Sequence, residues 1–319
     1  MIQSARSPEG FAEAYAKVAA ANRGTLAKLE TLLRKFQERG IECLLLKGCD
    51  LVTRLYPTLG QRQIGDVDLL VHEADLPRVD AAARELGLKP QINGNAAYED
   101  DERSFLVDIE HAIWYLEDDG GIWKRAVPRQ ALGLEVRGME ATDALFFICA
   151  WTCLHRAYFT NNFPDDIALL VKSEPIDWPR FGADASRLGL RMPVRHALEH
   201  ARGRRPVAVP DSAWAALAPS NPRERFQLTL LRKLVTRRRL FGLSHVFMYL
   251  TKPRESRWAA LRRAFSPDRR FMGYRYGERG PGAMLVLRVL RPFYLTGQAL
   301  LLLARIAGRL LGPTDGSAR

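Results

Sequence analysis

The chain has 319 residues, of which 47% are hydrophobic, and this is enough for two globular domains with packed cores. Its net charge of +12 and isoelectric point near 9.8 favour a nucleic-acid, phosphate or anionic-membrane partner, although an arginine-rich proteome produces the same balance. The four cysteines include no Cys-x-x-Cys pair, which argues against structural zinc and fits a reducing cytoplasm. The first residues lack the apolar core of a signal peptide, and no apolar run is long enough to indicate a membrane span.

The first predicted elements are a helix, a buried strand and a second helix. Alanine and leucine recur at three- and four-residue spacing over residues 8–39, which predicts a helix, and Gly24 is expected to divide it. The apolar run 41–46 predicts a buried strand. A turn is expected at Gly48, and Asp50 is a candidate N-cap of the following helix.

Two aspartates open the next predicted strand, residues 66–71, after a polar loop that contains Arg62. Asp66 and Asp68 are two positions apart, so the alternation of side chains along a strand places both on one face. Two adjacent carboxylates repel each other, and a divalent cation between them makes the arrangement favourable. The pair therefore predicts a metal site.

A third acidic element lies in the strand predicted over residues 104–109. Phe105, Val107 and Ile109 alternate there with Leu106, Asp108 and Glu110. Alternation of side chains directs Asp108 and Glu110 to the same face. This strand is a candidate neighbour of the strand that contains Asp66 and Asp68.

From about Thr142 onward the sequence predicts helices, and the basic runs lie beyond residue 200. Pro206 and Pro210 suggest a boundary. We therefore predict three parts: residues 1–138 with the strands, residues 139–205 as a helical domain, and residues 206–319 as a basic helical extension.

Four motifs occur in a fixed order: Leu46-Lys47-Gly48, Tyr56-Pro57, Arg62 and Asp66-Val67-Asp68-Leu69-Leu70-Val71. This order resembles the nucleotidyltransferases of the DNA polymerase beta superfamily, in particular the bacterial nucleotidyltransferase family proteins. A weaker match at His155, Asp166-Ile167-Ala168 and Asp177-Trp178 extends the resemblance over about residues 25–200. It implies an α/β (α+β) fold, in which a polymerase-beta-like mixed sheet precedes a helical domain and, here, the basic helical extension.

The resemblance also implies a site for two Mg²⁺ ions. Asp66 and Asp68 would hold them between the triphosphate of an NTP substrate and the attacking hydroxyl, where a metal pair stabilises attacking and leaving oxygens. In the family, a histidine stands two positions after the third acid. Here Glu110 stands two positions after Asp108, and His111 comes one position later. Either Asp108 or Glu110 is therefore the third ligand, and Asp108 is preferred.

The same resemblance assigns the phosphate contacts. Gly48 would let backbone N–H groups approach the triphosphate, and Lys47 and Arg62 would neutralise its charge, Arg62 with a bidentate fork. The wider superfamily has Gly-Ser or Gly-Gly at the turn, whereas Cys49 follows Gly48 here. This difference, with Glu110, leaves room for a degenerate member without catalytic activity.

The C-terminal segment, residues 283–311, predicts a basic amphipathic helix. Its polar members fall within about a third of the helix circumference: Arg288, Arg291, Gln298, Arg305 and Arg309. Such a helix can lie in a membrane interface, or it can pack its apolar face on the helical domain with the arginines in water. Pro292 and Gly297 argue against one straight helix. Nucleic acid is another conceivable partner, but the segment contains no recognisable binding motif.

Together these observations predict a cytoplasmic Mg²⁺-dependent enzyme that transfers a nucleoside monophosphate from an NTP to an unidentified hydroxyl acceptor. Residues 283–311 are a candidate peripheral contact with the inner surface of the membrane. The alternative is a non-catalytic binding protein of the same fold, joined to a membrane or polysaccharide-biosynthesis assembly.

Overall fold

The structure is a computed structural model that describes residues 8–91, 96–131, 133–251, 262, 264–267, 269–277 and 279–311. The chain divides into two units. The first contains Met1–Ile113, Asp118–Glu140 and Arg269–Glu278, and the second contains Trp114–Glu117, Ala141–Asp268 and Arg279–Arg319. One division falls at residue 140, close to the predicted boundary at 138, whereas the second unit continues across the predicted boundary at 205.

Within the described residues, the first unit contains a mixed sheet of seven strands. They are β1 Cys43–Leu46, β2 Val67–Val71, β3 Lys89–Pro90, β4 Ala96–Glu99, β5 Leu106–Glu110, β6 Val127–Ala131 and β7 Leu134–Gly138. Their order across the sheet is β3-β4-β5-β2-β1-β7-β6. β2 is antiparallel to β1 and parallel to β5, and β1 is parallel to β7. The predicted fold class, a mixed sheet followed by helices and a helical C-terminal extension, is confirmed.

Helices account for most of the remaining described residues. They are α1 Pro8–Glu38, α2 Lys47–Arg54, α3 Leu76–Glu85, α4 Gly120–Arg125, α5 Ala141–Ala150, α6 Phe163–Ser173, α7 Trp178–Arg187, α8 Arg191–Arg202, α9 Asp211–Ala216, α10 Pro222–Leu234, α11 Leu243–Thr251, α12 Arg269–Tyr276 and α13 Pro281–Leu311. A short 3₁₀ turn, Glu73–Asp75, precedes α3.

The central strand β2 is buried on both faces. Val67, Leu69 and Val71 belong to the hydrophobic core of the first unit, and Asp68 on the opposite face is also buried. Asp68 lies opposite Asp108 of β5 in the parallel ladder. The predicted proximity of the two acidic strands is therefore confirmed.

The first helix is continuous, so the predicted break at Gly24 is wrong. α1 runs for 31 residues and buries Leu29, Leu33 and Phe36 in the core. A glycine inside a helix costs about 1 kcal/mol relative to alanine, which burial of these large side chains outweighs.

The second helix begins earlier than predicted, because Lys47 is its first residue. Asp50 therefore lies inside the first turn instead of capping the helix. Lys47 has a φ of 50°, a left-handed conformation that is uncommon for residues other than glycine. The sharp change of direction from β1 into α2 thus occurs at Lys47, one residue before the predicted turn at Gly48.

The second unit is helical, and its most deeply buried element is α5, in which every residue is buried. α5 continues into a π-helical turn, Trp151–Arg156, that ends at Ala157 with a φ of 59°. The ring of His155 stacks on Trp151 with 5.7 Å between centroids, so this histidine packs within the helical unit.

The C-terminal helix α13 is continuous through Pro292 and Gly297. It is long and apolar enough to cross a membrane by length and composition, with a mean hydropathy of 1.3 in its most apolar window. The prediction that no apolar run is long enough to indicate a membrane span is therefore wrong by length and composition.

A substitution in β2 tests the core. Leu69→Ala removes a side chain with no exposed surface, and such changes cost about 2–5 kcal/mol of unfolding free energy. Urea titration followed by circular dichroism should show a clearly lower midpoint. Leu285→Ala, at a position 64% exposed, is the matched control and should change stability by about 0.5 kcal/mol or less. Equal midpoints for both variants would contradict the burial of β2.

Candidate active site

Three carboxylates meet at the edge between β2 and β5. Asp66 lies just before β2, Asp68 lies within β2, and Asp108 lies opposite Asp68 in β5. One oxygen from each can be chosen so that all three atoms lie within 4.8 Å of one another. Among the described residues, this is a group whose donors suit a hard divalent cation, because such ions prefer carboxylate oxygens.

Burial and mutual repulsion make this cluster unfavourable for charged carboxylates. Burial, with the neighbouring charge of Asp66, raises the pKa of Asp68 to about 6, although Lys47 opposes the shift. Burial and then the charges of Asp68 and Asp66 raise the pKa of Asp108 to about 7. Buried Oδ1 of Asp108 has no hydrogen-bond partner in the described structure. An unpartnered acceptor beside two other carboxylates is the arrangement that a bound cation would satisfy.

Lys47 supplies a positive charge to the cluster. Its Nζ lies 2.5 Å from Oδ1 of Asp68 and 3.7 Å from Oε1 of Glu110. Burial alone would lower the pKa of Lys47, but Asp68 and the other acids outweigh it and raise the pKa. The residue follows Leu46, which pairs with Asp68 across β1 and β2, so the sheet register brings the ammonium group to this carboxylate.

Glu110 differs from the other three acids. It lies on β5 beyond Asp108 and contributes no oxygen to the three-carboxylate group. Its position beside Lys47 makes it an ion-pair partner of the lysine. Of the two candidate third ligands, Asp108 is the one that the structure brings to Asp66 and Asp68.

Arg62 lies against the first turn of α2. A Cβ atom placed on Gly48 would come within 2.7 Å of the Arg62 guanidinium carbon. The absence of a side chain at Gly48 therefore accommodates Arg62, a role that sequence reasoning did not assign. Cys49 points elsewhere: it is fully buried in the core, and burial raises the pKa of its thiol. The departure from the family pattern at Cys49 thus falls on a core position.

No sequence motif indicates that α1 holds the loop of Arg62. The amide of Asn22, which is fully buried, donates to the carbonyl oxygens of Leu59 and Arg62, at 2.7 Å each. Its oxygen accepts a hydrogen bond from the backbone N–H of Ile64 at 2.9 Å. All three bonds reach at least 37 positions along the chain, so no local motif marks Asn22 as a positioning residue.

A second unpredicted contact orients α2. Asp50 is buried and accepts hydrogen bonds from Arg54 Nε at 3.0 Å and Nη2 at 2.9 Å. Nε of Arg129, on β6, lies 3.6 Å from Asp50 Oδ1. At Gly138 a Cβ atom would lie 3.1 Å from the same oxygen, so the carboxylate packs closely on β7. These contacts fix α2, and with it Lys47 and Gly48, to one side of the sheet.

The fold and the site together define a nucleotidyltransferase-type protein, with paired aspartates on one strand and a third on its parallel neighbour. A family model described as "Uncharacterised nucleotidyltransferase" matches residues 4–204, and the chain belongs to that family. The resemblance to nucleotidyltransferases inferred from the motifs is confirmed, and the match covers the whole region, about 25–200, to which it was traced.

Two solved structures are similar to part of the chain. One is a solution structure of the antibiotic-resistance factor ANT(2'')-Ia, with 15% identity and a TM-score of 0.41, covering 57% of this chain and 99% of that one. The other is a crystal structure of ANT(2'')-Ia with adenylyl-2''-tobramycin, with 15% identity and a TM-score of 0.37, covering 56% and 97%. A comparison with curated proteins gave no match.

The raised pKa values predict how stability depends on pH. When the pKa of a carboxyl group is higher in the folded state than its ordinary value of 3.8, the group contributes to the stability of the fold. This contribution is full below pH 3.8 and is lost as the pH rises through the folded-state pKa. Without divalent cations, raising the pH from 5 to 8 should therefore lower the melting temperature of the wild type more than that of Asp108→Asn. We expect a difference of several degrees.

The matched control is Asp101→Asn, which changes an acid whose side chain is 70% exposed. It should follow the wild type across the pH range. If Asp108→Asn also follows the wild type, ionisation of Asp108 does not destabilise the folded chain.

Proposed function

We propose that the chain transfers a nucleoside monophosphate from an NTP to a hydroxyl acceptor, with release of pyrophosphate. The observation that carries this proposal is the convergence of Asp66, Asp68 and Asp108, with the buried and unpartnered Oδ1 of Asp108. Membership of a nucleotidyltransferase family supports the reaction class. An NTP substrate would place the reaction in the cytoplasm.

The three carboxylates fit Mg²⁺, since all their donors are oxygen and one acceptor lacks a partner. Asp66 and Asp68 would be the main ligands, with Asp108 as the third. Two bound ions would offset the charge on the triphosphate and on the attacking and leaving oxygens. Glu110 stays with Lys47 in this assignment.

Lys47 and Arg62 are the cationic residues proposed to meet the triphosphate. Lys47 holds the carboxylate of Asp68 in place and keeps its own proton, because the surrounding acids raise its pKa. Arg62 presents a planar guanidinium over the first turn of α2, where it could bind two phosphate oxygens at once. Asn22 holds the loop of Arg62 and so acts as a positioning residue.

Asp108 is the group best suited to accept the proton of the acceptor hydroxyl. In the chain without bound ions, burial and the charges of Asp68 and Asp66 raise its pKa to about 7, which suits proton exchange near neutral pH. The acceptor itself can be a small molecule, a sugar, a protein or an RNA end.

Thermal-shift measurements with Mg²⁺ and each NTP test the proposal. The wild type should melt at a higher temperature with both ligands than with either alone, because binding to the folded state stabilises it. Asp66→Asn/Asp68→Asn should abolish the shift, and Asp101→Asn should retain it. If no NTP raises the melting temperature of the wild type, the proposed enzymatic activity is contradicted, and the alternative of a non-catalytic binding protein is favoured.

A pair of glycine variants tests the part of Arg62. Gly48→Ala should displace the guanidinium and weaken Mg²⁺-NTP binding about tenfold, as expected for loss of one charge-assisted contact. Gly65→Ala is the matched control, because a Cβ atom there would meet nothing within 4 Å. Isothermal calorimetry should show the loss only for Gly48→Ala. Equal affinities would argue against a phosphate contact by Arg62.

A further inference from the structure

The C-terminal helix α13 turns a long apolar face outward. Large side chains along its length are more than half exposed: Leu285, Val286, Val289, Leu290, Phe293, Tyr294, Leu300, Leu301 and Leu303. Leu302 is the buried member of the described helix. An apolar stripe of this length is unusual on a soluble surface and indicates a partner that covers it.

Three of the four arginines of α13 donate hydrogen bonds to backbone carbonyls of the second unit. Arg288 donates to the carbonyl oxygen of Pro267 at 3.1 Å, and Arg291 donates to that of Ala264 at 2.8 Å. Arg309 donates to the carbonyls of Leu234 and Arg238, at 3.0 Å each. Of the two arrangements predicted from the sequence, the one with the apolar face packed inward and the arginines in water is therefore reversed. The reversal leaves the apolar face without cover from the described residues.

The positive charge of the chain is concentrated in the same part of the sequence. Residues 234–311 contain sixteen Lys and Arg but three Asp and Glu, a net charge of +13, whereas the whole chain carries +12. α13 itself contains four arginines and no acidic residue. The exposed run Arg237–Arg239 lies at the C-terminal end of α13, because Arg309 binds the carbonyl of Arg238.

We propose that α13 binds an anionic lipid bilayer, with its outward face inserted among the acyl chains at the interface and the surrounding arginines near the headgroups. An exposed apolar face beside concentrated basic charge is the combination that such surfaces attract. This proposal is independent of the proposed nucleotidyl transfer. It concerns where the chain resides, not what its carboxylates do.

The helix lies along the membrane surface in this proposal and does not cross it. Arg288 and Arg309 are 21 positions apart, or about 32 Å along a helix, and both are hydrogen-bonded to the second unit. A helix crossing a hydrocarbon layer about 30 Å thick would have to give up one or both attachments and place arginine in the lipid.

Two other partners fit the observations less well. A second copy of the chain would bring another α13, with four arginines and no acidic residue, against the first, and these like charges oppose association. Nucleic acid would satisfy the arginines but would leave Leu290, Phe293 and Leu300 exposed to water.

Vesicle flotation of the full-length protein tests the proposal. The probes are vesicles of phosphatidylcholine alone and vesicles with about one third phosphatidylglycerol. The wild type should float with the anionic vesicles at least tenfold more than with the neutral ones. Salt at 0.5 M, as a chosen assay condition, should weaken the binding, since it screens the headgroup charge.

Phe293→Ser/Leu300→Ser should reduce flotation at least tenfold without lowering the melting temperature, because both side chains are exposed. Leu301→Ser/Leu303→Ser is a second variant of the same face and should behave alike, in case the first pair misfolds. Phe226→Ser is the matched control: its side chain is 69% exposed, on α10, and flotation should be unchanged.

Three results would overturn the proposal. The first is a wild type that fails to float with anionic vesicles, and the second is undiminished flotation of both folded double variants. The third is a dimer in light scattering that dissociates in these variants, which would assign the face to a second copy. RNA binding that persists in them, without flotation of the wild type, would assign the charge to nucleic acid.

Discussion

The cost of bringing like charges together within the first unit governs the arrangement of its functional residues. Asp66, Asp68 and Asp108 repel one another, and burial adds to this repulsion because a charged carboxylate loses its hydration. Lys47 offsets part of the cost from a strained left-handed backbone conformation. Strain and repulsion persist together only where the surrounding fold enforces them. The buried β2 strand and the fixed α2 helix provide that enforcement.

The sequence predicted those parts of the site that depend on local periodicity. Alternation along a strand placed Asp66 with Asp68, and the same rule put Asp108 on the acidic side of the next candidate strand. The parallel pairing of β2 with β5 then brought them together. Asn22 had no such signal, because its hydrogen bonds reach a loop 37 to 42 positions away. The same holds for Arg129, whose contact with Asp50 depends on how β6 approaches α2.

Local rules failed where tertiary packing was stronger. The glycine in α1 was expected to break the helix, but buried side chains on both sides of it, such as Val18 and Leu29, hold the helix together. Aspartate is a common N-cap residue, yet Asp50 lies inside α2, where it forms an ion pair with Arg54. For α13 the helical wheel separated arginines from leucines correctly, and it could not show which side faces the protein. That orientation depends on carbonyl oxygens of other segments, which periodicity does not reveal.

The parallel pairing of β2 with β5 also has a consequence for how the chain folds. Asp68 and Asp108 are forty positions apart, so their contact forms only after a long loop has closed. The nearer antiparallel pair of β1 and β2 can form earlier, and it already brings Lys47, which directly follows β1, to Asp68. A nascent chain would thus acquire its stabilising ion pair before the repulsive third carboxylate arrives. In this order, the repulsion between Asp108 and the aspartates near β2 arises only after most of the sheet has formed.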